Sequence, residues 1–143
     1  MNGTTPLTNV EVQNLVYTWF QKITAKVDLD ELLQMLSKNE LEMRFPETTI
    51  RNHGDFKRWY EGVTNLYFDQ IHDLKMLAVD LDGPQADVSL VVHWQARTWQ
   101  PPSAYSKWQD AYIHQRWSIK REAGSDKPVI VDYYVGTFDT VPR

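Results

Sequence analysis

The segment Ala86–Thr98, ADVSLVVHWQART, alternates apolar and polar residues almost without fault. Val88, Leu90, Val92, Trp94 and Ala96 fall on one side; Asp87, Ser89, His93, Gln95 and Arg97 fall on the other, with Val91 the lone intruder. Successive side chains of a strand point to opposite faces, so the pattern predicts one half-buried strand of an antiparallel sheet. The segment also divides the chain. The N-terminal portion is mostly helical in pattern, whereas the C-terminal portion is mostly strand and rich in aromatic residues. That order points to a fold with a pocket.

Before the divide, Thr8 and Glu11 have the spacing of a capping box, ahead of apolar positions at Val12, Leu15, Val16, Trp19, Phe20 and Ile23. These positions share one helical stripe, which predicts a first helix from about Thr8 to Lys26. Asp28 with Glu31 repeats the signal, and Leu29, Leu32, Leu33 and Leu36 predict a short second helix. Leu41, Met43 and Phe45 alternate with Glu40, Glu42 and Arg44 in a short strand that Pro46 ends. Gly54 and Asp55 open a third helix with Phe56, Trp59, Tyr60 and Val63 as its buried stripe, Gly54 suiting the tight turn into it. Strands are expected at Asp69–Leu81, at Tyr105–Glu122 and at Pro128–Phe138. Asp82-Gly83-Pro84, Gln100-Pro101-Pro102-Ser103 and Gly124–Lys127 separate them.

Three helices, a strand and then long antiparallel strands make an α+β domain, residues 1–143 as one unit. A bent sheet wrapped around the helices would leave a conical cavity open at one end. Six Trp, seven Tyr and five Phe are many for 143 residues, and they suit the walls of such a cavity. A net charge of −4 argues against a nucleic-acid footprint. The absence of Cys excludes disulfides, thiolate metal sites and cysteine nucleophiles together. The opening MNGTTPLTNV has no signal-peptide pattern, and no run of about 18 apolar residues exists to span a bilayer. A soluble, cytoplasmic protein is the expectation. No Gly-rich phosphate loop or dinucleotide fingerprint is present, so no cofactor is expected.

Three segments carry a likeness. They are the first helix with Asp28-Leu29-Asp30-Glu31-Leu32-Leu33-Gln34-Met35, then Ile50-Arg51-Asn52-His53-Gly54-Asp55, and Ile71-His72 with Val79-Asp80-Leu81-Asp82-Gly83 and Ala86-Asp87-Val88. Together they resemble the nuclear transport factor 2-like superfamily over Val12–Phe138. Its members include ketosteroid isomerases, scytalone dehydratases, polyketide cyclases and proteins without known activity. The resemblance implies a cone-shaped, cystatin-like α+β fold. Its catalytic residues carry over poorly. The isomerase carboxylate base, just before a proline, falls on Phe45; the isomerase tyrosine falls on Trp19; the protonated aspartate falls near Arg116. The first dehydratase histidine matches His72, but the second falls near Arg97 or Trp99.

His72 is therefore the one candidate acid or base, in register with Leu74, Met76 and Ala78 on an apolar face. A core histidine satisfied by a backbone carbonyl or water is the plain alternative. Trp19, Phe45, Trp59 and Trp94 are candidate pocket walls, or simply core. In the long strand, burial logic turns Ala111, Ile113, Trp117 and Ile119 inward and Tyr112, His114, Arg116 and Ser118 outward. The family count turns Arg116 inward, where it could hold a ligand carboxylate or pair with Asp132; a β-bulge would reconcile the two. Tyr112, His114, Arg116 and Tyr134 stand as candidate ligand contacts, Tyr112 or Tyr134 orienting a substrate oxygen. His93, Gln95 and Arg97 suit the convex face through which two copies would pair. His72, His93, His114 and Asp132 have the atoms of a metal site but no ligand spacing, so no metal is expected. The function expected is a cofactor-free isomerase, dehydratase or cyclase acting on a hydrophobic cyclic compound. The alternatives are a non-catalytic ligand-binding or dimerisation module, or a subunit working beside another protein.

Overall fold

The computed structural model describes residues 5–99 and 105–142. The break expected at residues 100–103 lies outside them. Helix α1 spans Asn9–Ala25, and its capping box forms: Glu11 N donates to the Thr8 hydroxyl at 3.2 Å, and Thr8 N donates to the Glu11 carboxylate at 3.1 Å. Lys26 closes it in the left-handed conformation, donating its N–H back to the last turn. The second capping signal is not used. Helix α2 covers only Leu29–Leu33, Asp28 makes no side-chain cap, and Glu31 pairs with Lys22 instead. Leu36, expected within this helix, leaves it to bridge to Ile130.

Strands β1 (Glu42–Arg44) and β2 (Thr49–Ile50) form a small hairpin, of which the second strand carries too few residues to show a period. Helix α3 spans His53–Leu66. Its cap is Asn52, whose side chain accepts from Asp55 N at 2.8 Å, while Asp55 accepts from Arg51 N at 3.0 Å. Gly54 lies inside the first turn, so the asparagine rather than the glycine makes the entry.

Four long strands complete the chain: β3 (Tyr67–Asp82), β4 (Gln85–Thr98), β5 (Lys107–Arg121) and β6 (Pro128–Thr140). The sheet order is β2-β1-β6-β5-β4-β3. The α+β class is as expected, but the sheet is mixed, because β1 runs parallel to β6. In β4, Ala86, Val88, Leu90, Val92 and Ala96 are buried, so the alternation of the opening segment marks its inner face.

Bulges interrupt the outer two long strands and leave β4 and β5 in unbroken register with each other. In β3 the extra residues fall between Phe68 and Ile71, where Asp69 has φ 52°, and between Leu74 and Met76. The second shift breaks the register expected for His72: Leu74 stays on its face, Met76 turns out at 54% exposure, and Leu77 and Val79 take the inner positions. In β6, one extra residue falls at Val131 and another between Val135 and Phe138. Gly136 serves the latter, since a Cβ there would sit 3.2 Å from the His114 carbonyl oxygen. Each bulge adds local twist, which curves the sheet around the helices. The core lies where α1 and α3 meet the inner face. Trp19 touches Phe56, Trp117 and Tyr133, and Trp117 stacks on Tyr133 with centroids 4.7 Å apart.

Candidate ligand cavity

Between the helices and the inner sheet face lies a cavity of about 430 Å³, a size ordinary for small-molecule sites. Helix α1 supplies Trp19, Phe20 and Ile23; the end of β1 and its turn supply Phe45, Pro46 and Glu47; α3 supplies Trp59, Tyr60 and Val63. The strands contribute Tyr67, Gln70 and His72, then Trp94, then Ala111, Ile113 and Gln115, then Tyr133, Val135, Phe138 and Thr140. Phe45 stacks on Trp59 at 4.4 Å, and the Trp59 indole donates to Glu47 at 3.3 Å. Among the described lining residues there is no lysine or arginine. Glu47 and Asp110 are acidic, and the Asp110 carboxylate is turned to the outer face, 2.6 Å from His93 and 3.2 Å from Gln95.

Two polar groupings face this apolar space. In one, His72 lies in the wall with Nδ1 3.0 Å from the Thr24 hydroxyl and its ring stacked on Phe20 at 5.7 Å. Burial pushes its pKa down to about 4, so the imidazole is neutral at pH 7. Beside it the Trp94 indole donates to Gln70 at 3.2 Å, and Tyr67 meets Trp94 edge-on. In the other grouping, the Trp117 indole donates to the Gln115 carbonyl oxygen at 3.0 Å, and Tyr133 is 5% exposed. Burial raises the Tyr133 phenol well above its ordinary value, with Trp19 and Gln115 acting on its hydroxyl in the opposite sense.

Of the residues singled out in the sequence, Trp19, Phe45, Trp59, Trp94 and His72 converge on this cavity. Tyr112, His114, Arg116 and Tyr134 do not. All four are exposed on the outer face: β5 runs without a bulge against β4, so its phase follows burial, and Tyr134 stands opposite Arg116 on β6. The bulge that could have turned Arg116 inward occurs in β6 instead. His114 pairs with Asp139 at 2.9 Å, Arg44 lies 4.8 Å over the Tyr134 ring, and no ion pair joins Arg116 to Asp132 among the described contacts. His72 lies inside while His93, His114 and Asp132 lie outside, so these four do not meet. His93 stacks on Tyr112 at 4.4 Å, and Arg97 lies 5.1 Å over Trp108.

Sequence reasoning passed over Gln70, Gln115 and Tyr133. The signals existed. Gln70 is in phase with His72, and Gln115 is the polar member of the series Ala111, Ile113, Trp117, Ile119. Asp132, two residues before Tyr134, puts that tyrosine on the outside and its neighbour Tyr133 within.

No family model matches the chain, and no curated protein matches it in sequence. Solved structures do match in fold. A candidate scytalone dehydratase from Novosphingobium aromaticivorans superposes with a TM-score of 0.78 at 12% identity, over 94% of this chain and 86% of that one. An NTF2-like superfamily protein from Salmonella enterica superposes at 0.72 with 14% identity, covering 89% and 88% of the two chains. A type 2 hexachlorocyclohexane dehydrochlorinase superposes at 0.76 with 9% identity, covering 93% and 88%. The chain has the nuclear transport factor 2-like fold. No helix among the described residues is long and apolar enough to cross a membrane.

Proposed function

We propose that this protein takes a small hydrophobic ring compound into the cavity and acts on it by proton transfer at His72, without a cofactor, as a dehydratase, isomerase or cyclase. The observation that carries this reading is the placement of His72: a neutral imidazole in an aromatic wall, with Nδ1 held by Thr24. With Nδ1–H donated to the Thr24 hydroxyl, the Nε2 lone pair is left to accept a substrate proton. A base of this strength stays unprotonated through the neutral range. The likeness of fold to a dehydrochlorinase and a candidate dehydratase agrees with elimination chemistry. A non-catalytic binding module is the second reading. It is favoured by the hydroxyl, where a carboxylate would strengthen the base.

A proton-abstraction probe tests the first reading. 5-Nitrobenzisoxazole is an uncharged bicycle: a base takes its ring C–H proton, the N–O bond breaks, and a coloured nitrophenolate carrying a nitrile forms. The protein should accelerate this opening, and His72→Ala should lower the rate about 10²-fold with the fold retained. The rate should stay level from neutral pH downward and fall with a midpoint at about 4. An unchanged rate in His72→Ala removes the mechanism and leaves the binding module.

Pairing of two copies through the outer sheet face belongs to the same reading. Ile71, Met76, Tyr112 and Tyr134 are exposed there beside His93, Gln95 and Arg97, and such a mixture of aromatic, apolar and Arg side chains suits a symmetric interface. Sedimentation velocity at micromolar concentration should show a dimer that Tyr112→Glu dissociates. A monomer throughout removes the assembly.

A further inference from the structure

The hydroxyl of Tyr133 has a hydrogen-bonding capacity that the chemistry at His72 does not use. The Trp19 indole can only donate, and its ring lies 5.8 Å from that of Tyr133. The Gln115 carbonyl oxygen accepts from the Trp117 indole at 3.0 Å. Among the described residues no hydrogen bond takes the Tyr133 hydroxyl proton to a protein acceptor, and the residue is 5% exposed. A buried phenol with no protein acceptor must send its proton elsewhere. Phe45 and Trp117 cover the ring at 5.5 and 4.7 Å, so the open direction is the cavity that the residue lines.

We infer that Tyr133 is the donor that selects the ligand, an uncharged ring compound carrying one acceptor oxygen, which the phenol holds while the aromatic walls take the ring. This rests on the cavity reading and adds the ligand's polar group and charge. Burial keeps the phenol protonated at every ordinary pH, so it donates and does not accept charge. An anionic ligand is disfavoured, because the described lining offers no cation and Glu47 stands among the lining residues. A hydrocarbon would leave the phenol proton without a partner, a loss of the kind that lets polar sites reject isosteres.

Three probes of one shape test this: indane, 1-indanone and indane-1-carboxylate, titrated by ligand-observed NMR against the protein and its Tyr133→Phe variant. The expected result is 1-indanone bound at least about 5-fold tighter than indane, a gap that Tyr133→Phe closes while indane's affinity holds, with the carboxylate weakest. The carbonyl stretch of bound 1-indanone should lie at lower frequency in the wild type than in the variant. That second readout does not depend on small changes in stability. If indane and 1-indanone bind and their ratio and the carbonyl band are the same in both proteins, the inference is overturned and the cavity reading stands. Preference for the carboxylate also overturns it. Binding of none of the three overturns the inference and the cavity reading together.

Discussion

Trp117→Ala should lower the free energy of unfolding by about 3–5 kcal/mol, the range for removing a large aromatic from a core that cannot collapse around the void. Trp117 is 2% exposed and meets three rings from other elements: Trp19 and Phe20 of α1 and Tyr133 of β6. It also holds Gln115 in orientation. Deleting it therefore opens a space bounded by a helix and two strands, and the strands cannot move inward without breaking their pairing. Urea denaturation measures the effect. A loss below about 1 kcal/mol would mean that this ring network does not hold the helix to the sheet.

Acid should unfold the protein in two overlapping stages, and Arg121 should govern the lower one. The Arg121 side chain is 7% exposed and reaches both oxygens of Glu11, at 2.7 and 2.8 Å, as well as the carbonyls of Thr5, Pro6 and Asp126. That hydrogen-bonded pairing holds the Glu11 carboxyl down at about 2, against 4.5 unperturbed. Its contribution is complete above pH 4.5 and fades as the pH falls toward 2, worth about 1–2 kcal/mol once solvent screening of a carboxylate one-third exposed is allowed for. His72 acts higher in the range. Its folded value of about 4 lies below the unfolded 6.5, so the unfolded chain binds the proton first and stability falls as pH drops from 6.5 to 4, by about 2–3 kcal/mol. Arg121→Ala should cost about 2–3 kcal/mol at neutral pH and flatten the stage below pH 4.5 while leaving the upper one. Denaturant midpoints across a pH series decide this; a variant that keeps both stages would remove the pairing as the cause of the lower one.

The helices and long strands were legible because their apolar periods are long and uninterrupted, as in α1 and β4. The short elements were not. A two-residue strand has no period, and Leu36 carries the same apolar signal whether it ends a helix or bridges to Ile130. The cavity walls were legible as aromatic stripes, since Trp19, Phe45, Trp59 and Trp94 each sit in a clear phase. What misled was position counting by family. It turned Arg116 inward, whereas the alternation of Ala111, Ile113, Trp117 and Ile119 keeps Arg116 outside and leaves that inner place to Gln115, a signal passed over. Bulges were the real obstacle, because nothing in Leu74-Lys75-Met76 or Ile130-Val131-Asp132 advertises an extra residue.

Those extra residues bear on the chamber's dimensions. Ile130 stands opposite Ile119 and Asp132 opposite Ser118, so Val131 is spare to the pairing. Excising it would leave Ile130 and Asp132 in simple alternation, with Tyr133 still inside and Tyr134 still outside. The sheet would lose a bend rather than a wall residue. Room for a ligand is thus adjustable by adding or removing single residues on the flanking strands, while β4 and β5 keep the same side chains on display.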